Sequence, residues 1–135
     1  MLSINVDVIR LTLHILAATI WVGGMIVLAA LTGPLGRTVP EALAPAGRAF
    51  AWVAWPAFAV LIVTGIWNLV AGSGTLSTAY QNTLMVKMVL VLLSGVGAAV
   101  HTFAQNPTNK GIWGTVALLG ALGAVLLGVA MLESP

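Results

Sequence analysis

The chain has 135 residues, of which 60% are hydrophobic and only 6% are charged. Soluble domains carry about 25% charged residues, so five basic and three acidic side chains cannot cover a water-exposed surface. A net charge of +2 excludes a strongly basic nucleic-acid-binding protein. The sequence contains no cysteine, which excludes disulfides, thiolate metal sites and iron–sulfur clusters. We therefore expect a single domain whose main partner is membrane lipid.

Four apolar runs have the length of about 20 residues that a helix needs to cross a bilayer. They predict an all-α, integral membrane four-helix transmembrane bundle that forms one domain over residues 1–135. The predicted helices cover about 8–31, 50–71, 84–103 and 112–132. Turn-forming residues predict where the first three end, namely Gly33-Pro34, Gly72-Ser73-Gly74 and Asn106-Pro107. Residues 38–48 are predicted to form a short interfacial helix with Pro40 near its start.

Basic residues predict the orientation of the chain in the membrane. The loops after the first and third helices contain Arg37, Arg48 and Lys110, whereas the loop after the second contains no charge. Basic loops favour the cytoplasmic side. We therefore expect both termini to be extracytoplasmic, in the inner (plasma) membrane of a prokaryote.

Three ionisable residues lie within the predicted spans. His14 and Lys87 are about 9 Å and 6 Å from the extracytoplasmic ends of their helices, whereas His101 is about 27 Å along its helix. The two histidines are therefore too far apart in depth to bind one metal ion or one haem. Because an unpaired Lys deep in a bilayer costs about 3 kcal/mol, we expect Lys87 to face His14 in a pocket. The role of His101 is left open.

Other polar and aromatic residues are predicted to reach the same level. Arg10 and Trp21 share a helical face with His14, and Asn68 lies at the outer end of the second helix. Trp21 is the aromatic residue predicted to line the pocket. The remaining tryptophans of the spans are predicted to form interfacial belts; they are Trp52, Trp55, Trp67 and Trp113.

Three uses of this pocket stay open on the residues alone. Bundles commonly place cofactors between facing helices, and haem iron takes a His ligand, so His14 could bind a haem. Thioether sulfurs suit Cu(I), so His14 could instead bind copper with Met85, Met88 or Met131. The third alternative is a structural or accessory membrane subunit, without a cofactor, whose polar residues only hold helices together.

Small residues are predicted to let the helix backbones approach closely, because lipid provides no hydrophobic drive between helices. Gly120, Ala124 and Gly128 recur at intervals of four residues in the fourth helix. The pairs Gly23-Gly24 and Gly95/Gly97 are predicted to act similarly, and a homo-oligomer interface is an alternative use of all of them. Lys87, Ser94 and His101 are predicted to form an inward-facing polar stripe with Ala98 on the third helix.

Three sequence stretches resemble the HemJ/CopD membrane superfamily, which includes the HemJ-type protoporphyrinogen oxidases and the copper-resistance protein D domain. RLTLHILAATIWVGG, residues 10–24, is similar to the first helix of that superfamily, in which a His is followed seven residues later by Trp and then by a Gly pair. TGIWNLV, residues 64–70, and LMVKMVLVLLSGVGAAVH, residues 84–101, resemble the end of its second helix and its third helix. The stretch ALTGPLGRT differs from the basic, aromatic segment of the HemJ branch, and the Gly pair is closer to the CopD branch.

The resemblance implies a membrane haem b protein that transfers electrons or oxidises a porphyrin-like or quinone-like partner. His14 would be the axial ligand of the haem iron, and Lys87 would be the catalytic residue, as a cation beside the haem or a second ligand. Arg10, Trp21 and Asn68 would complete the cofactor site. If the protein is an enzyme, it would be an oxidoreductase similar to protoporphyrinogen oxidase, working with a redox partner. The CopD branch implies copper binding or transport as the alternative.

Overall fold

The structure, a computed structural model, describes residues 1–72, 74 and 76–133, and all regular structure in these residues is helical. The first long helix consists of α1 (Val6–Ala18), a π-helical turn (Thr19–Gly23) and α2 (Gly24–Thr38). A 3₁₀ turn (Pro40–Ala42) continues into α3 (Leu43–Ala71), and α4 (Thr78–Phe103) and α5 (Pro107–Glu133) follow. Each of the four resulting helices is long and apolar enough to cross a membrane. The prediction of an all-α protein with four candidate spans is therefore confirmed, and by helix length and hydropathy the chain is a multi-pass membrane protein.

The chain divides into two compact units, Met1–Ser73 and Gly74–Pro135. In the first unit α1, the π-helical turn and α2 pack against α3, and in the second unit α4 packs against α5. Each unit is thus a hairpin of two long helices.

Side-chain caps and turn residues define several helix ends. The Asn5 side chain accepts a hydrogen bond from the backbone N–H of Val8 at the start of α1, because the first N–H groups of a helix have no partner within it. The predicted turn after the second span is confirmed at Gly72, the C-cap of α3, while Ser73 lies outside the described residues. The predicted break at Asn106-Pro107 is also confirmed, since α4 ends at Phe103, whereas α5 begins at Pro107, earlier than the predicted start near residue 112.

Two predicted features of the segment between the first two spans are wrong. Pro34 does not end the first long helix but lies inside α2, which continues to Thr38. Proline removes one backbone hydrogen bond, and membrane helices tolerate this. The helix ends instead at Thr38, and its C-cap Val39 has a non-helical φ of −142° and ψ of 64°, because the residue before a proline disfavours the helical region. Residues 38–48 form no separate helix, since the turn that begins at Pro40 continues directly into α3.

Small residues are buried between the helices, and large aliphatic residues are exposed, as expected for a protein in lipid. The buried apolar residues of the described part are small, with one large exception, Trp21; they are Ala17, Ala54, Ala57, Ala117, Ala121 and Ala124. Large aliphatic side chains such as Leu126 and Val129 are exposed on the outside of the helices. Lipid solvates these side chains as well as a protein interior does, so helix contacts favour residues that let backbones approach.

Candidate functional site

A hydrogen-bond chain in the first unit holds the imidazole of His14. His14 Nδ1 lies 2.7 Å from the hydroxyl oxygen of Thr64, which is buried on α3. The same Thr64 hydroxyl donates a hydrogen bond over 2.6 Å to the carbonyl oxygen of Val60, which lies one helical turn earlier in α3. The ring of His14 is therefore fixed by a side chain from the facing helix, and it is half-buried.

Arg10, one turn before His14, is held by groups from both helices. Its Nε donates to the side-chain oxygen of Asn68 on α3, and its Nη1 lies 2.9 Å from a carboxylate oxygen of Asp7. The guanidinium carbon lies 5.8 Å from the ring centre of Trp67, which is within the range of a cation–π interaction. The Arg10 side chain is 15% exposed, while that of Asp7 is 73% exposed. A positive charge is thus held in a defined position beside His14.

The two interhelical bonds follow one register. His14 is four residues after Arg10, and their partners on α3, Thr64 and Asn68, are four residues apart in the reverse order. This is the register of two antiparallel helices, in which residues four apart share a face. Thr64 was not among the predicted site residues, although its spacing of four residues from Asn68 indicates that the two share a face of α3.

Small residues surround the imidazole on the side of α3. A Cβ at Gly65 would lie 3.7 Å from His14 Cε1, so the glycine leaves space beside the ring. Ala17, one turn after His14, is buried and contributes only a methyl group. The imidazole therefore meets no side chain at the position of Gly65.

Trp21 lies in the π-helical turn and packs into an aromatic cluster with two residues of α3. It is 3% exposed, and its ring centre lies 4.4 Å from that of Phe58 and 5.3 Å from that of Trp55. These spacings are typical of attractive aromatic pairs. The predicted stripe of Arg10, His14 and Trp21 thus faces α3. The prediction that Trp55 belongs to an interfacial belt did not anticipate its contact with Trp21.

In the second unit, Lys87 lies on the face of α4 that packs against α5. A Cβ at Gly128 of α5 would lie 3.3 Å from Lys87 Nζ, so the amine occupies the space that this glycine leaves. Within the described part of this unit, no carboxylate pairs with Lys87. The amine therefore lies against α5 at Gly128.

The other polar residues of α4 also bond to α5. The hydroxyl of Ser94, which is 1% exposed, donates to the carbonyl oxygen of Ala117 over 2.7 Å. His101 Nδ1 donates to the carbonyl oxygen of Lys110, also over 2.7 Å. The predicted stripe of Lys87, Ser94 and His101 therefore faces α5. For His101 the structure assigns a contact that ties together the ends of α4 and α5.

The methionines of the copper alternative all lie in the second unit. Met85 and Met88 are exposed on α4, and Met131 is half-buried near the end of α5. Among the described residues, no group of three or more His, Asp or Glu side chains is placed to hold a metal ion. A copper site built on His14 and these sulfurs stays a prediction.

The first unit therefore presents an imidazole and a guanidinium on one helix face, each oriented by a side chain of the facing helix. Such a pair can offer a nitrogen ligand to a metal and a positive charge to an anionic group. Compared with known proteins, this chain matches no family model, no curated protein and no solved structure.

Proposed function

We propose that the protein is a membrane haem b protein of the HemJ/CopD type, with His14 as an axial ligand of the iron. It would act in electron transfer, or it would oxidise a porphyrin-like or quinone-like partner. The observation that carries the proposal is the oriented pair of His14 and Arg10, four residues apart on one helix face and bonded to Thr64 and Asn68. Haem b takes a nitrogen ligand and bears carboxylates, and this pair offers an imidazole for the iron and a guanidinium for one carboxylate.

The residues around the pair fit a flat macrocycle. Gly65 places no side chain against the imidazole, and metal-ligating histidines usually bond through their other ring nitrogen to an oxygen, as His14 does to Thr64. When bound, haem b would supply a one-electron Fe(III)/Fe(II) couple. The protein would orient the ligand through Thr64, and Arg10, held by Asn68 and Asp7, would neutralise a carboxylate of the macrocycle.

Trp21 and Lys87 enter this proposal differently. Trp21 is packed among aromatic residues of the same unit as His14, so it would stiffen the helix pair that holds the ligand. The assignment of Lys87 as the catalytic residue depends on the family resemblance and stays a prediction. Its position against Gly128, within the second unit, supports a constrained amine.

The test is the visible spectrum of the purified protein after haem supplementation. The wild type and His101→Ala are expected to show a Soret band, and His14→Ala is expected to lose it. His101→Ala is the matched control because it also removes an imidazole, but one that bonds to the Lys110 carbonyl within the second unit. The absence of a Soret band in the wild type, or a band unchanged in His14→Ala, would overturn the proposal. Copper retained in place of haem, measured by metal analysis, would favour the copper alternative.

A further inference from the structure

The proton of a neutral imidazole can reside on either ring nitrogen, and the bond made by one nitrogen decides which. At His14 the deciding group is the Thr64 hydroxyl, which has one proton and two lone pairs. The carbonyl oxygen of Val60, 2.6 Å from the hydroxyl oxygen, can only accept a hydrogen bond. Donating to Val60 therefore uses the single proton of Thr64, and the hydroxyl then accepts from His14 Nδ1 over 2.7 Å. The reverse assignment would leave two oxygen atoms 2.6 Å apart with no proton between them.

We propose that Thr64 is a positioning residue, which keeps the His14 proton on Nδ1 so that Nε2 carries the lone pair offered to the iron, and which lowers the reduction potential of the bound haem. The effect on the potential rests on the proposed haem function, whereas the position of the proton does not. Thr64 itself would touch neither the iron nor the macrocycle in this role.

The direction of the effect follows from the charge on the imidazole. A hydrogen bond from Nδ1–H to an oxygen increases the electron density on the other nitrogen and makes it a more basic ligand. Donation from Thr64 to Val60 polarises the hydroxyl and strengthens its acceptance, because linked hydrogen bonds reinforce one another. A more basic ligand stabilises Fe(III) relative to Fe(II). Removing the Thr64 hydroxyl should therefore favour the reduced iron.

The first experiment locates the proton without haem. Nitrogen-15 NMR of histidine-labelled protein in detergent micelles, recorded at about pH 9 where imidazoles are neutral, distinguishes protonated from bare ring nitrogens. The variant His101→Gln leaves His14 as the single histidine and assigns its signals. We expect Nδ1 to be protonated in this protein and the Nε2–H form to increase in Thr64→Val. A wild-type His14 with its proton on Nε2 would overturn the inference, whether or not haem binds.

The second experiment measures the midpoint potential of the haem-loaded protein, with dithionite as the electron donor and ferricyanide as the acceptor. Loss of an outer-shell partner typically costs about 10- to 100-fold in metal affinity or activity, and we take the lower end as the scale of the effect on the iron. A tenfold shift in the Fe(II)/Fe(III) ratio corresponds to about 59 mV for one electron, and we expect Thr64→Val to raise the potential by this order. Thr64→Ser, which keeps the hydroxyl, should match the wild type.

The matched control is Thr19→Val, because the Thr19 hydroxyl bonds to the Ile15 carbonyl of its own helix. A potential unchanged in Thr64→Val, with the Soret band retained, would refute the role of Thr64 while leaving the haem function intact. Loss of the band in the wild type would refute the haem function, and the NMR result would still decide the tautomer. If Thr64→Val does not fold, the wild-type NMR spectrum remains decisive.

Discussion

The two hairpins bring their helices together by different means. In the second unit the backbones approach directly: a Cβ at Gly97 of α4 would lie 2.8 Å from backbone atoms of Trp113 and Ala117 on α5. A Cβ at Gly120 would likewise lie 2.8 Å from the carbonyl oxygen of Leu90. Polar side chains of α4 then bond to backbone carbonyls of α5, as Ser94 does with Ala117.

In the first unit, side chains fill the space between the helices. Arg10 and His14 bond to side chains of α3, and Trp21 packs against both Trp55 and Phe58. Gly24 also belongs here, because a Cβ on it would overlap the Phe50 ring. The helix pair is thus connected by groups whose chemistry depends on the residue.

The two kinds of helix contact have different consequences for stability and for ligand binding. In the second unit, the bond of the Ser94 hydroxyl to the Ala117 carbonyl joins two helices and contributes to stability. In the first unit, side chains of α3 bond to an imidazole and to a guanidinium, which are groups that can bind a ligand or hold a positive charge. We therefore expect substitutions of Ser94 and Gly97 in the second unit to change stability, and those of Arg10 and His14 in the first unit to change ligand binding as well.

The largest effect on stability is expected for Trp21→Ala in the first unit. It removes the buried ring of the aromatic cluster, and we expect the free energy of unfolding to fall by about 3 kcal/mol, because lipid cannot fill the cavity between the helices. Unfolding in mixed SDS micelles, followed by circular dichroism, measures this change. Trp52→Ala is the control, since Trp52 is 82% exposed and should change stability by less than about 0.5 kcal/mol. Equal losses in the two variants would contradict a core role for Trp21.

The next effect is expected for Gly97→Ala in the second unit. The added methyl group would meet backbone atoms, which cannot rotate away, so the helices must separate at a cost of about 2 kcal/mol. Gly111→Ala is the control on α5, because no atom lies within 4 Å of its added Cβ. Helix propensity alone should make that variant slightly more stable, by up to about 1 kcal/mol. If Gly97→Ala unfolds no earlier than the wild type in the same assay, the direct backbone approach is refuted.

The smallest effect is expected for Ser94→Ala. It removes the bond to the Ala117 carbonyl, and interhelical hydrogen bonds in membranes contribute about 0.6 to 1.7 kcal/mol. Thr102→Val serves as the comparison, because the Thr102 hydroxyl bonds to its own helix at Ala98 and should contribute little. Both variants should leave the Soret band of a haem-loaded protein unchanged. A Soret band altered by Ser94→Ala would contradict the expectation that Ser94 contributes to stability and not to ligand binding.

Composition and periodicity were enough to predict the helical class, the four spans and the face of each polar stripe. In lipid, the backbone N–H and C=O groups of such apolar runs can all form hydrogen bonds only in helices or closed barrels. The spacing of Arg10, His14 and Trp21 identified one helix face. These features depend on local sequence, since length, polarity and helical period are properties of a single segment. The prediction at Pro34 was wrong because a proline can lie within a membrane helix, whereas Pro40 affects the residue before it.

Only the tertiary structure decided which groups those faces contact. The partnership of His14 with Thr64 depends on the register between α1 and α3, and that of Ser94 with Ala117 depends on the close approach of α4 and α5. Residues about fifty positions apart in the chain carry no local signal of their contact. The register arises from the fit of side chains between two helices, which no single segment contains.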